Sequence, residues 1–527
     1  MTSRYYFGFV PRPDRSLPRP WTDWLRLFLV AALVFVASGV AVFKEDLHRL
    51  VTCNDGWPDT AAWSAGGECV GLSDAPYDFE HDAFAPALHV IDEQNRAAAD
   101  RCAPDGTPVV VGVLMTMTDR ETGGRAVHEL EGIAAGQRRA NGTGCLHPMR
   151  LVVANIGAYG EDNDGLEVAQ ALADRPDVVA VAGLGLSRQR SAEIADLLAG
   201  AKIPMVSDLI TAEGFDQTGS AADHPAFDTC SPDITYSRGI GKDYFYRVAY
   251  RNSVQIDRLA KIITARPDFV MVPNGGSDPY TCTSLPMVQR RFGDVTKVRF
   301  DADEASTVPQ TAKRLCSSAK DVTVMYIARG RDLARLLFSI DEAFSSGQCA
   351  ATSVTVVSTS DGERIRAQED NPALEDLRGK ALRAPSLANG RLRALMALVP
   401  GADRQRADNP GFADLVASFT EAGFDAAHLD DGWGVNAYDS VTTISEALRT
   451  LPANRPVQRS EVNTAISGFS SVEQAVRGAG GPITFDNSGN RVDDHTPVVR
   501  ICPVSTRGDQ PLRARTLPAE PGAIPPC

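Results

Sequence analysis

The sequence predicts an α/β protein of two doubly wound lobes with parallel sheets, preceded by one transmembrane helix. Three observations predict it. Strand-like and helix-like segments alternate from Pro108 onward, which implies a parallel sheet covered on both faces. A long polar segment over 211–242 interrupts the alternation, which then restarts, so the pattern runs twice. An uncharged apolar stretch at 27–43, extended back to Trp21, approaches the length that crosses a bilayer.

The 527 residues are enough for two or three domains with ample cores. A net charge of −14 argues against a nucleic-acid partner. Residues 1–20 form a basic tail, with Arg4, Arg12, Arg15 and Arg19 against Asp14, which predicts a cytoplasmic N-terminus. Residues 21–43 are then the membrane helix, with Trp21 and Trp24 suited to an interfacial belt. A cleavable signal peptide is the competing reading, because Gly39-Val40-Ala41 offers small residues. The expected location is the cell membrane, single-pass, with the main body extracytoplasmic.

Cysteine usage agrees with export. The ten cysteines all follow the apolar stretch, form no CxxC pair and have no histidine at metal-ligand spacing, so disulfides are expected and a metal is not. Cys102 and Cys145 each precede an expected strand, as do Cys316 and Cys349. Neighbouring parallel strands start at one end of a sheet, which predicts the pairs 102–145 and 316–349. Cys53 with Cys69 and Cys502 with Cys527 are expected local staples, and Cys230 with Cys282 is the remaining pair.

Along the chain, 44–107 reads as a juxtamembrane region rich in Asp, Gly and Pro, with a helix at 84–101. Strands follow at 109–115, 151–156, 178–183 and 204–207, with helices at 125–140, 166–173 and 191–199. The run Val178–Ala182 has no polar alternation, as expected of a strand covered on both sides. Gly183 and Gly185 then permit a tight turn into a helix. The second series has strands at 244–249, 269–273, 295–300, 322–328 and 354–358, and helices at 253–265, 284–292, 309–317 and 333–345. Helices at 412–421 and 435–448 precede a last segment at 481–500. The tail 503–527, rich in Pro and Arg, is expected to be disordered.

Catalytic patterns find little support. Gly183-Leu-Gly185-Leu-Ser187-Arg188 approaches a dinucleotide fingerprint, but Arg188 stands where the third glycine belongs. Gly185-Leu-Ser187-Arg-Gln189 lacks the second glycine of a nucleophile elbow, and no triad, P-loop, HExxH or EF-hand pattern occurs. No enzyme activity, cofactor or metal is expected. Two α/β lobes in series instead suggest a small-ligand cleft between them.

Four segments in order carry a family resemblance: Ile203-Pro204-Met205-Val206-Ser207, Tyr244-Phe245-Tyr246-Arg247-Val248, Gly434-Val-Asn-Ala437-Tyr438-Asp439-Ser440-Val441 and Gly480-Gly-Pro-Ile-Thr-Phe485-Asp486-Asn-Ser-Gly489-Asn-Arg491. Over roughly 109–501 the chain resembles the type I periplasmic binding proteins, in particular the Leu/Ile/Val-binding branch of ABC transporter substrate-binding proteins. The resemblance implies two lobes joined by a three-crossing hinge. Lobe 1 would be 108–249 plus 376–454 and lobe 2 would be 250–375 plus 455–502, with crossings near Tyr250, Asp376 and Asn454.

For the site, the resemblance implies a ligand-carboxylate hydroxyl at Ser187 or Ser191, with a plain helix cap the alternative for Ser187. It implies backbone and hydroxyl contacts at Ile210 and Thr211, and a closing aromatic ring at Tyr280. Arg329 and Arg331 depart from the pattern and favour an acidic ligand. Asp361-Gly362 replaces a clear Glu, and Asp119, Arg120 and Glu121 add charge to the first loop, so the branched-chain specificity is not expected to transfer. The expected function is an extracytoplasmic solute-binding protein that closes on a small polar solute, amino-acid-like or an organic acid, for an ABC-type transporter. Alternatives are a membrane-anchored ectodomain signalling to a sensor partner, and a scaffold that binds nothing. The expected partners are a small-molecule solute, the membrane through the N-terminal helix, and an ABC permease or sensor partner.

Overall fold

A computed structural model of the chain describes residues 21–42, 53, 60–74, 76–101, 108–144, 146–159, 164–219, 239–263, 265–274, 278–302, 304, 306–398, 409–453, 455–492, 496–504, 514–518 and 524–527. Two seven-stranded sheets organise it. The first contains β1 (Thr60–Ala65), β2 (Glu68–Ser73), β3 (Val109–Met115), β4 (Met149–Asn155), β5 (Val178–Gly183), β6 (Met205–Ser207) and β7 (Phe245–Arg247), in the order β1-β2-β4-β3-β5-β6-β7. From β4 to β7 every pairing is parallel, and β3 and β5 are buried along their whole length. Unbroken apolar runs form such strands because helices cover both faces.

The second sheet contains β8 (Phe269–Pro273), β9 (Thr296–Phe300), β10 (Val322–Tyr326), β11 (Val354–Ser358) and β12 (Leu392–Ala397). A small hairpin of β13 (Val476–Gly478) and β14 (Gly481–Ile483) precedes its last two strands, β15 (Val498–Ile501) and β16 (Ala514–Thr516). The order is β16-β15-β12-β11-β10-β8-β9, parallel from β12 to β9 and antiparallel at the β15–β16 edge. The two-lobed α/β architecture expected from the alternation is therefore present.

Several expectations need correction. The described part of 44–107 is not a spacer: β2 pairs antiparallel with β4 and β1 antiparallel with β2 at the edge of the first sheet, and the helix Ala85–Arg101 packs on that lobe. Asn95 on that helix donates to Leu151 O (2.9 Å) and accepts from Leu151 N (2.8 Å). The tail is ordered at Ala514–Thr516, because Val499, Arg500 and Ile501 offer it a free strand edge. The lobe boundaries also shift. β12 hydrogen-bonds in register with β11 and so belongs to the second lobe. The helices Pro410–Glu421, Trp433–Arg449 and Arg459–Ser467 pack on the first, where Arg459 donates to Val178 O, Ala201 O and Arg175 O. The chain thus crosses at 248–252, between Leu398 and Asn409, and between Val492 and Thr496.

A helix forms over Trp21–Val42, where the membrane segment is expected, and exposes Trp21, Trp24, Phe28 and Leu33. Among the described residues no helix is long and apolar enough to cross a membrane, so the expected transmembrane helix and membrane anchor are not supported.

Disulfides Cys53–Cys69, Cys316–Cys349 and Cys502–Cys527 form as expected. Cys282 is also disulfide-bonded. Its expected partner Cys230, and the pair Cys102 and Cys145, lie outside the described residues. Among the described residues one group has metal-like proximity, Cys53, Cys69 and Glu80, and its two sulfurs are joined to each other.

The segments behind the family resemblance are structural joints. Gly132, on the helix Arg125–Gly142, faces the backbone of Gly434 so closely that a Cβ there would collide with it. Asp439, fully buried, accepts from Ala479 N (2.5 Å) and Gly480 N (2.9 Å). Arg491 donates to the carbonyls of Gly480, Pro482 and Val248, tying the hairpin back to the hinge. Asp486 Oδ1 accepts from Ser488 N and Asn490 N, and Gly489 (φ 75°) closes that turn where a side chain would meet Phe245 O. Asp439 and Arg491 each satisfy buried backbone groups at these joints.

Candidate functional site

Both sheets point the carboxyl ends of their parallel strands at one seam, where open α/β sheets bind ligands. The loop after β3 and the turn after β5 form one wall. The ends of β8 and β9, the start of the helix Pro279–Phe292 and the turn after β10 form the other. Between them lies a cavity of about 310 Å³. Arg120, Glu121 and Arg188 line it from the first lobe, with Asp278, Arg329, Arg331 and Asp332 from the second, and Phe300 adds an apolar patch.

The second-lobe wall is built by helix-start chemistry. Asp278 caps the helix Pro279–Phe292, accepting from Thr281 N (3.3 Å) and Thr281 Oγ1 (3.1 Å), with Pro279 at the first turn. The same carboxylate accepts two bonds from Arg329, from Nε (3.1 Å) and Nη2 (2.8 Å), and one from Arg188 of the other lobe (3.3 Å). Burial works to raise the Asp278 carboxyl, but Arg329 and Arg188 outweigh it and hold it below the usual range. Arg329 is squeezed by the same balance: burial opposes its charge, yet Asp278 and Asp361 raise its pKa.

Several contacts latch the lobes. Arg329 Nη2 donates to Ser187 O (2.9 Å), and Arg188 reaches Asp278. Arg125 Nη2 donates to Asp361 Oδ1 (3.1 Å), with its guanidinium 4.2 Å from the Trp433 ring centroid. Arg364 Nη1 donates to Arg120 O (2.7 Å) while Glu369 holds its other nitrogens. Two cavity carboxyls are poorly compensated: Glu121 and Asp332 are both raised, each chiefly by burial.

Of the six residues expected at the site, Arg329 lines the cavity. The others are buried beside it and bonded within the protein. Ser187 Oγ accepts from Thr211 N and Ala212 N, both at 3.1 Å, so it staples two loops of the first lobe. Ser191 Oγ donates to Leu186 O (2.6 Å). Ile210 N donates to Ser207 Oγ (3.3 Å) and Ile210 O accepts from Arg247, while Thr211 O accepts from Asn252 N (2.9 Å). Tyr280 is 1% exposed, hydrogen-bonds Thr359 Oγ1 through its hydroxyl, and lies under Arg329 at 4.7 Å.

The glycine turn after β5 is likewise spent internally. Gly183, Leu184 and Gly185 all have positive φ, Leu184 N donates to Leu114 O (2.7 Å), and Leu186 N donates to Tyr159 Oη (2.8 Å). A Cβ at Gly183 would strike Leu114 O and one at Gly185 the Tyr159 hydroxyl. The Leu184 and Leu186 N–H groups hold the turn against β3 and the loop after β4 rather than cradle an anion.

Arg188 and Asp278 are the residues that sequence reasoning missed. Arg188 was read only as an absent glycine, and Asp278 precedes Pro279 in a plain helix-start pattern. A cap residue facing an arginine-bearing turn in the same lobe is the signal that could have singled it out.

No protein-family model matches the chain, and no curated protein matches it. Solved structures do. An ABC transporter substrate-binding protein from Desulfitobacterium hafniense in complex with Leu matches with TM-score 0.52 and 18% identity, over 78% of this chain and 100% of that one. The branched-chain amino acid transporter substrate-binding protein LivJ from Streptococcus pneumoniae, in complex with isoleucine, matches with TM-score 0.52 and 13% identity, over 78% and 99%. A solute-binding protein of an ABC transporter from R. palustris, in complex with 4-hydroxybenzoate, matches with TM-score 0.50 and 15% identity, over 78% and 95%. At these identities the likeness establishes the fold, which is the type I periplasmic binding protein fold that the sequence resembles.

Proposed function

We propose that this chain, which has the type I periplasmic binding protein fold, is an extracytoplasmic solute-binding protein that closes its lobes on a small polar solute for an ABC-type transporter. The observation that carries this reading is the cavity at the seam, lined by charged side chains from both lobes. A solute there touches both walls only when the lobes are closed, so its binding shifts the population toward closure. The disulfides support an oxidising compartment outside the cytoplasm. Arg329, Arg188 and Asp278 are the residues assigned to solute contact, with Ser187, Ser191, Ile210, Thr211 and Tyr280 shaping the walls behind them. The charged lining favours a polar ligand, amino-acid-like or an organic acid, over an apolar one.

The reading is tested by a thermal-shift screen of the full chain against amino acids, amides and small organic acids. A solute at 100 times its Kd adds about 2.7 kcal/mol of stability. Binding that survives Arg188→Ala unchanged would remove the site assignment, and no shift with any solute would remove the function.

A further inference from the structure

Behind the loop that follows β6 lies a pair of carboxyls that the solute contacts do not use. Glu129, on the helix Arg125–Gly142, and Asp208, directly after β6, are both fully buried and adjoin each other. Among the described residues no other side chain donates to their four carboxyl oxygens, and only the backbone N–H groups of Asp208 and Leu209 favour the ionised form of Asp208. Two carboxylates this close and this dry cannot both be ionised. Burial pushes Glu129 well above the usual carboxylate range and Asp208 up to about 7.

The surroundings offer one charge to offset them. Arg125, one turn before Glu129, acts on it electrostatically, and its Nη1 has no hydrogen-bond partner. The same guanidinium holds Asp361 across the seam and also acts on Asp431. The helix Trp433–Arg449 presents an uncharged group, Asn436, whose Nδ2 donates to Asp208 O (2.8 Å). On β7, Arg247 is committed elsewhere, to Asn490 Oδ1 and to the carbonyls of Ile210 and Ala212.

We propose that Glu129 and Asp208 are positioning residues for the solute site: the protonated carboxyl of Asp208, packed against that of Glu129, keeps the loop 208–212 docked, and loss of its proton to solvent loosens the loop. The consequence for binding rests on the solute-binding reading above. Ile210 and Thr211 sit on this loop, so loosening it disturbs the wall behind the solute contacts. Closure therefore weakens as pH rises toward and through neutrality.

The test is hydrogen exchange of the full chain without solute, read on peptides spanning 205–215 between pH 5 and 8 and corrected for intrinsic exchange. If undocking returns Asp208 to an ordinary carboxylate, protection falls by about tenfold per pH unit between 5 and 7. Asp208→Asn, which cannot ionise, flattens the profile, whereas Glu129→Gln, which keeps a neutral donor beside Asp208, retains the slope. A flat wild-type profile, a slope that persists in Asp208→Asn, or a flat profile in Glu129→Gln overturns the proposal. No solute enters the measurement, so failure of this proposal is separable from failure of solute binding: a chain that binds nothing still shows the slope if the pair holds.

Discussion

Replacing Arg329 by alanine strikes the seam at its best-connected cation. The side chain is 11% exposed and makes two bonds to Asp278, one to Ser187 O across the seam and an ion pair with Asp361 at 3.6 Å. Removing one partner of a buried pair costs roughly 3–5 kcal/mol, because the remaining charge is stranded. Here each stranded carboxylate keeps one arginine: Asp278 keeps Arg188 at 3.3 Å and Asp361 keeps Arg125 at 3.1 Å. The expected loss is therefore at the lower end, ~3 kcal/mol. Urea denaturation of the full chain measures it, and small-angle scattering reports whether the lobes part when the Ser187 bond is lost. The double variant with Asp278→Ala should lose less than the sum of the two single variants, because the second change removes the stranded charge. A loss under ~1 kcal/mol, the size expected of an exposed pair, with unchanged scattering would refute the assignment of Arg329 as a buried latch.

Three further outcomes follow from the same structure. Asp208, raised to about 7, and Asp439, raised to about 6, both by burial, bind protons in the folded state that the unfolded chain has released. Their contributions are complete below the unfolded carboxylate pKa and lost as pH rises through 6 and 7. Asp278 and Asp431, held low, lose theirs as pH falls through the acidic range, so the melting temperature should peak near pH 5 and decline by pH 8. A peak at or above pH 8 would contradict these protonation states. Removing the Cys316–Cys349 bridge by a double Ser substitution opens a loop of 33 residues and should cost up to about 3.7 kcal/mol in the chain-entropy model, read by denaturation. Gly132→Ala places a methyl against the Gly434 backbone and should cost ~1–3 kcal/mol by forcing the two helices apart; a neutral effect in the same assay would mean they separate freely.

The sheets were readable because a parallel strand buried on both faces has to be an unbroken apolar run, as Val109–Met115 and Val178–Gly183 are. Edges were not readable in this way. The strands Thr60–Ala65 and Ala514–Thr516 are mixed in polarity and fixed by the neighbour they find rather than by their own pattern. The lobe boundaries failed for a related reason: a strand does not announce its sheet, and β12 is assigned only by its register with β11. At the seam, Arg329 was identified as an unexpected cation beside the cleft, but its partner Asp278 was not, because the expected helix begins at 284 and the observed one is capped by Asp278. Glu129 was invisible because a glutamate within a helix reads as a solvent-facing residue, and only tertiary packing reveals that it is buried against Asp208.

The most direct measurement is isothermal titration of the full chain with the solute that gives the largest thermal shift, in wild type and in Arg188→Ala. A cleft that closes on a polar solute predicts one site per chain in the wild type and at least tenfold weaker binding in the variant, about 1.4 kcal/mol. Equal affinity in the two proteins, or no saturable heat with any solute, would contradict it.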